Sequence, residues 1–199
     1  MKNIRFGIDL DGVLGDFTSE VVAVANSLWP GKMPPGYKPD NWDYQGVLTK
    51  EEWNQVWGVL IDTENLWLKE EELSGARELQ QFLKEYPFSE VYFVTARAET
   101  KGMSVLMQST RWLEERGLWP RWDRSFVIPV KHANEKIKIL NDLMIPFFLD
   151  DHAPTIQALQ ALPNMRGAYL LDELHNRYAS LPRVTSVTEY LDIVKEQSQ

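Results

Sequence analysis

Five short stretches rich in β-branched and aromatic residues punctuate this chain, at 4–10, 91–95, 126–130, 147–150 and 168–171. Runs of that length and composition, bounded by turn-forming residues, predict buried β-strands. Between the later ones the apolar spacing changes from continuous to helical. Ala76, Leu79, Phe82 and Leu83 mark one face of a helix over 74–86, and Val105, Leu106, Trp112 and Leu113 mark one over 103–116. Segments 134–143 and 154–162 repeat the pattern, the latter with Pro154 suited to a first turn. Strands alternating with helices predict an α/β fold, a central parallel sheet covered by helices on both faces.

The interval 17–73 breaks this rhythm. It lies between the first and second strands and is far longer than one crossover helix requires. It reads as an inserted helical cap, leaving 1–16 and 74–199 as the α/β core. Within it, 21–29 and 50–61 are helical in pattern, with Thr49 as N-cap and Glu52 at the third helical position. A loop dense in glycine and proline, 31–39, lies between them. The acidic run Glu70-Glu71-Glu72 reads as a solvated linker back to the core.

At 199 residues and 44% hydrophobic, the chain can bury a full core as one domain with an elaboration. A net charge of −8 argues against nucleic-acid polymers and anionic membranes as partners. The absence of cysteine excludes disulfides and thiolate metal sites. The first six residues are too short and mixed for a secretory signal, and no apolar run approaches the roughly 20 residues of a membrane span. A cytoplasmic location is the expectation. A homodimer is left open.

Candidate chemistry falls at the expected carboxyl ends of the strands, where open α/β sheets gather ligands. Asp9 and Asp11 lie two residues apart in Asp9-Leu10-Asp11-Gly12-Val13, and such paired carboxylates call for a cation, with Mg2+ the usual one in phosphate chemistry. Asp9 is placed to attack phosphorus, being ionised at neutral pH without a separate base. Asp11 is then the acid that protonates the leaving oxygen and the base that activates water. Thr95 offers a hydroxyl to phosphate oxygens and Lys136 a neutralising charge. Asp150 and Asp151 complete the metal site, with the direct ligand unassigned between them. An EF-hand loop also opens Asp-x-Asp-Gly, and Glu20 even stands at its twelfth position. Val13 and Leu14, however, occupy places that should hold a ligand and a glycine.

The order Asp-x-Asp-Gly-Val, strand ending in Thr, Lys, then Asp-Asp resembles the haloacid dehalogenase superfamily of aspartate-nucleophile phosphatases. That resemblance implies a Rossmann-like three-layer core and obligate Mg2+. It also implies metal ligation by the Asp9 side chain, the Asp11 backbone carbonyl and a carboxylate of the Asp150/Asp151 pair. A narrower likeness is carried by Asp9 to Phe17, by Asn65-Leu66-Trp67 with Leu73-Ser74-Gly75-Ala76, and by His175-Asn176-Arg177. Together these resemble the 5'(3')-deoxyribonucleotidase family, in which the position of Phe17 stacks on the nucleobase. Two features depart from that family: Ala96 stands where the family's Thr-Ser motif carries its serine, with Arg97 following, and the 13 residues between Lys136 and Asp150 are a longer interval than in those nucleotidases.

Trp42 and Trp67 join Phe17 as candidates for base contact, since aromatic faces stack on bases. Trp53 and Trp57, spaced i, i+4, read as the apolar stripe of a cap helix. Ala96 offers a backbone N–H. Arg97 either reaches a substrate phosphate or pairs with Glu99 on the surface. His175 and Arg177 border the site by family likeness, and His152 adjoins Asp151. The function expected is a Mg2+-dependent phosphatase acting on a nucleoside monophosphate. The alternatives are a sugar phosphate or polynucleotide 3'-phosphate as substrate, or a non-catalytic Mg2+ or nucleotide-binding module.

Overall fold

A computed structural model describes residues 4–119 and 123–198. Residues 1–3, part of the stretch read for a secretory signal, lie outside that description. Six strands run β1 (Arg5–Ile8), β2 (Glu90–Ala96), β3 (Ser125–Val130), β4 (Phe147–Asp150), β5 (Gly167–Leu171) and β6 (Arg183–Val184). They form one sheet in the order β3-β2-β1-β4-β5-β6, with every pairing parallel. Between β1 and β2 the chain first forms α1 (Phe17–Leu28), α2 (Lys50–Asp62) and α3 (Leu66–Lys69). The crossovers supply α4 (Ser74–Glu85), α5 (Val105–Glu115), α6 (Ala133–Asp142) and α7 (Ala153–Leu159), and the chain closes with α8 (Val187–Gln197). This is the α/β three-layer arrangement expected.

Alternation along the strands decides which layer each side chain enters. Phe6, Ile8, Val91, Phe93, Phe147 and Leu149 face a cluster completed by Leu79 of α4, Trp112 of α5 and Tyr190 of α8. Tyr92, Val94, Phe148, Ala168 and Leu170 face the other side, against Leu140 of α6 and Ile156 and Leu159 of α7. Both faces are apolar because both are covered. A third cluster buries Phe17, Val21, Tyr44, Val56, Leu60 and Trp67 together with Val105 of α5. Thr49 caps α2 by the expected reciprocal box with Glu52.

Several details differ from the pattern reading, among them α1, which opens at Phe17 instead of residue 21, and α3, which lies outside the expected set. β1 ends at Ile8, so Asp9 to Gly15 form a turn: the N–H groups of Val13, Leu14 and Gly15 all donate to the Leu10 carbonyl, at 3.2, 2.8 and 2.9 Å. β6 is two residues long, below what apolar patterning detects. α8 also lies outside the predicted set, although Val187, Tyr190, Leu191 and Val194 stand at helical spacing behind a Ser186 cap. Its Tyr190 hydroxyl donates to the Gly7 carbonyl at 2.8 Å, tying the chain's end to the central strand.

Gly7 occupies that central strand because nothing larger fits. A Cβ there would stand 2.7 Å from the Phe148 ring and 3.3 Å from the Tyr92 carbonyl. Gly7→Ala should therefore destabilise the protein by about 1–3 kcal/mol through overpacking. Urea unfolding measures it, and an unchanged midpoint would contradict the close approach.

Candidate active site

The strand order places β1 between β2 and β4, at the point where the winding of the sheet reverses. Crevices form outside the carboxyl ends of the strands there. Asp9 follows β1 directly, with its N–H donating to the Leu149 carbonyl at 2.9 Å and its Oδ1 accepting from the Leu10 N–H at 2.7 Å. Its Oδ2 accepts from Lys136 Nζ at 2.6 Å. The same ammonium donates to Asp150 Oδ2 at 2.9 Å, and Asp150 Oδ1 accepts from the His152 N–H at 2.9 Å. All four acidic and basic side chains around this point, Asp9, Lys136, Asp150 and Asp151, are buried.

Asp151 is treated differently from its neighbour. Its backbone carbonyl accepts from His175 Nε2 at 3.2 Å and Asn176 Nδ2 at 3.0 Å. Neither carboxylate oxygen has a hydrogen bond among the described residues, and His175 Nε2 lies 3.4 Å from Oδ2. Gly12 makes room for this carboxylate: it adopts a φ of 77°, and a Cβ there would come within 1.9 Å of Asp151 Oδ2.

The charges do not balance. One ligand oxygen each from Asp9, Asp150 and Asp151 lies within 4.8 Å of the others, against a single lysine. Burial pushes the Asp9 carboxyl well above its ordinary range; Lys136 opposes this, while Asp150, Asp11 and Asp151 add to it. Burial likewise pushes Asp151 up to about 6, partly offset by the His175 imidazole. Lys136 is held above its ordinary value because Asp150 and Asp9 outweigh the burial that pulls it down. Unpaired buried carboxylate oxygens facing two further acids match the hard oxygen donors a divalent cation takes, so the residues present fit a metal ion.

Asp11 sits in a separate environment. Arg97 Nε donates to its Oδ1 and Oδ2 at 3.0 and 3.1 Å and Nη2 to Oδ1 at 2.6 Å, while the Thr95 hydroxyl donates to Oδ2 at 3.2 Å. Burial raises the Asp11 carboxyl, but the Arg97 charge and hydrogen bonds, with help from Glu70, bring it below the ordinary range. Two expectations are corrected here. Arg97 is buried and its guanidinium is turned to Asp11, Glu70 and Ser109, so it neither pairs with Glu99 on the surface nor faces a substrate phosphate. Glu70 is not a solvated linker residue, being 1% exposed. An acidic run hides such a residue, because nothing local separates Glu70 from Glu71 and Glu72; only the buried Arg97 reveals it.

A cavity of about 200 Å3 opens over these acids, lined by Asp9, Asp11, Phe17, Trp42, Trp57, Trp67, Ala96, Ala133, Lys136, Asp151 and His152. A second of about 170 Å3 adjoins it and shares Phe17, Trp42 and Asp151, adding Tyr37, Lys38, Glu173 and His175. Phe17 opens α1, whose N-cap Asp16 accepts from the Ser19 N–H at 3.0 Å. Trp67 is fixed by donating Nε1 to the Ala98 carbonyl at 2.9 Å, and its ring centroid is 5.7 Å from that of Phe17. Trp42 stands 4.6 Å from the His175 ring. Trp57 lines the first cavity besides packing with Trp53, a placement the i, i+4 stripe does not reveal. Arg177 is exposed and lines neither cavity, so the structure does not bring it to the site.

The fold is that of the haloacid dehalogenase-like hydrolases. A Streptococcus pneumoniae protein of that family superposes with a TM-score of 0.58 over 96% of this chain and 98% of its own, at 10% identity. The L-2-haloacid dehalogenase of Xanthobacter autotrophicus gives 0.56 at 12% identity, covering 97% and 98%. Within that class the chain belongs to the family described as 5' nucleotidase, deoxy (pyrimidine), cytosolic type C protein, whose model matches residues 2–199. A Bacillus cereus protein named "Putative nucleotidase" is 27% identical over 98% of this chain and 100% of its own. A Chlorobaculum tepidum protein named "Putative 5'(3')-deoxyribonucleotidase" is 22% identical over 98% and 91%. The chain is thus a hydrolase, a phosphatase of the nucleotidase kind. No helix among the described residues is long and apolar enough to cross a membrane.

The raised Asp151 carboxyl has a consequence in chelator-treated protein. A carboxyl lifted from 3.8 to about 6 stabilises the fold most below pH 4, and that contribution is lost as pH rises through 6. Asp151→Asn should therefore stabilise the metal-free protein at pH 7 by on the order of 3 kcal/mol, a gain that fades between pH 6 and pH 4. Urea unfolding across that range measures it, and a pH-independent difference would contradict the assignment.

Proposed function

We propose that this chain is a Mg2+-dependent phosphatase that hydrolyses a deoxyribonucleoside monophosphate through a phospho-Asp9 intermediate. The observation that carries the reading is the Asp9 carboxylate at the base of an aromatic-walled cavity, beside Lys136 and the unpaired oxygens of Asp151. Asp9, the Asp11 backbone carbonyl and Asp151 would hold the ion. Asp151 is favoured over Asp150 because both Asp150 oxygens are already engaged, by Lys136 and the His152 N–H. When bound, Mg2+ supplies charge neutralisation to the transferring phosphoryl group.

Lys136 orients the Asp9 carboxylate and offers its charge to the phosphoryl oxygens. An Asp9 oxygen bonds to phosphorus as the ester bond breaks, and Asp11 gives its proton to the departing oxygen. Asp11 then takes a proton from water as the water oxygen attacks phosphorus and the Asp9–phosphorus bond breaks. Arg97 favours ionised Asp11, the form the second step uses, and an incoming phosphate dianion raises it towards the protonated form that the first step uses. Phe17 and Trp67, with Trp42 opposite, form the walls against which a nucleobase stacks. The insertion 17–73 serves as the cap that carries these walls, and the substrate is a small molecule in the cytoplasm because an acidic chain repels polyanions far more strongly than a single phosphate ester.

Phosphate release from para-nitrophenyl phosphate and from a panel of nucleoside and sugar monophosphates tests this reading. Activity should require Mg2+, vanish with a chelator, and favour deoxyribonucleotides over sugar phosphates. Asp9→Asn should abolish turnover, and a variant as active as the native protein would end the proposed mechanism. Asp11→Asn should slow release from alkyl esters by roughly 10²- to 10⁴-fold, the range of general acid catalysis.

A further inference from the structure

Arg97 donates to three side chains of this protein and leaves no face for substrate. Nε and Nη2 fork onto Asp11, Nη2 also donates to Glu70 Oε2 at 2.5 Å, and Nη1 donates to Ser109 Oγ at 3.0 Å. The Trp67 ring covers the guanidinium at 4.9 Å. Glu70 is itself anchored, because its backbone carbonyl accepts from Trp112 Nε1 and Arg116 Nη2, both at 2.7 Å. Its carboxylate lies against Gly15, where a Cβ would stand 2.5 Å from Oε2.

A pair between Arg97 and Asp11 would already be neutral. Burial and the Asp11 charge push the Glu70 carboxyl well above its ordinary range against the pull of Arg97, so a second acid here is costly to bury and stability alone does not explain Glu70. What the second acid adds is direction: with Ser109 it fixes the plane of the fork, and the fork fixes Asp11. We propose that Glu70 is a positioning residue that acts through Arg97 to hold the Asp11 carboxylate in the orientation needed for proton transfer to the departing oxygen. This rests on the phospho-Asp9 reading above. Arg97 is accordingly a second positioning residue and not a substrate ligand.

The effect should depend on the leaving group. Asp11 matters most to loss of an alcohol that must be protonated, and least to loss of nitrophenolate. The ratio kcat/KM reports events up to departure of the leaving group, so it isolates this step. With the full chain and Mg2+, Glu70→Ala should lower kcat/KM for a deoxynucleoside monophosphate by about tenfold to a hundredfold, and that for para-nitrophenyl phosphate by less than about threefold. Glu70→Gln should recover most of the nucleotide activity, since its amide oxygen still accepts from Arg97. Ser109→Ala, which loosens the fork from its other side, should show a smaller split in the same direction and serves if Glu70→Ala does not fold.

Equal losses on the two substrates, or no loss on either, would overturn the proposal. Should the native protein release no phosphate, or Asp9→Asn remain active, the underlying mechanism fails and this inference with it. Native activity, an inert Asp9→Asn and a Glu70 and Ser109 series without a split would sink the positioning role alone.

Discussion

Three buried carboxylates answered by one lysine form the constraint on which the rest of this structure depends. Lys136 bridges Asp9 and Asp150 within hydrogen-bonding distance, and neither Asp151 carboxylate oxygen has a hydrogen bond among the described residues, with only the His175 imidazole, 3.4 Å from Oδ2, partly offsetting its charge. Such a cluster persists only because the sheet around it is rigid. Its acids follow β1 and end β4, two central strands packed on both faces. The strain is local and chemical, concentrated where a divalent ion and a phosphate would relieve it.

Asp9 and Asp11 are close in sequence and opposite in environment. Burial and neighbouring acids lift Asp9, while the Arg97 fork lowers Asp11. The turn that follows Ile8 makes this separation possible. It sends Asp9 towards Lys136 and Asp11 towards Thr95 and Arg97, which an extended strand through residue 10 would not do. Divergent environments for paired acids are what distinct nucleophile and acid-base roles require.

The division of labour between sheet and insertion follows from packing. The acids stand at or just beyond strand ends, and Lys136 reaches them from α6, so packed elements of the sheet layers set their positions. Phe17, Trp42, Trp57 and Trp67, between β1 and α4, line the cavity and pack on a cluster that Val105 of α5 joins, and the Trp67 ring also covers the Arg97 guanidinium that holds Asp11. Glu70, between α3 and α4, links this segment to the strand ends by accepting from Arg97 beside Asp11.

Much of this was legible beforehand. Buried parallel strands announce themselves as short apolar runs, and the polar residues that close them, Asp9, Thr95 and Asp150, had to fall at one end of the sheet once the strands were parallel. Residue type and order thereby determined the fold class, the phosphatase chemistry and the acids that gather around Lys136. Other features were decided only in three dimensions: the burial of Glu70 in an acidic run, the capture of Arg97 by Asp11, the burial of the Asp151 carboxylate and the exposure of Arg177. Periodicity reports which face of a local element is apolar. Which distant partner a charged side chain meets depends on contacts tens of residues apart, and those exist only after the chain has closed on itself.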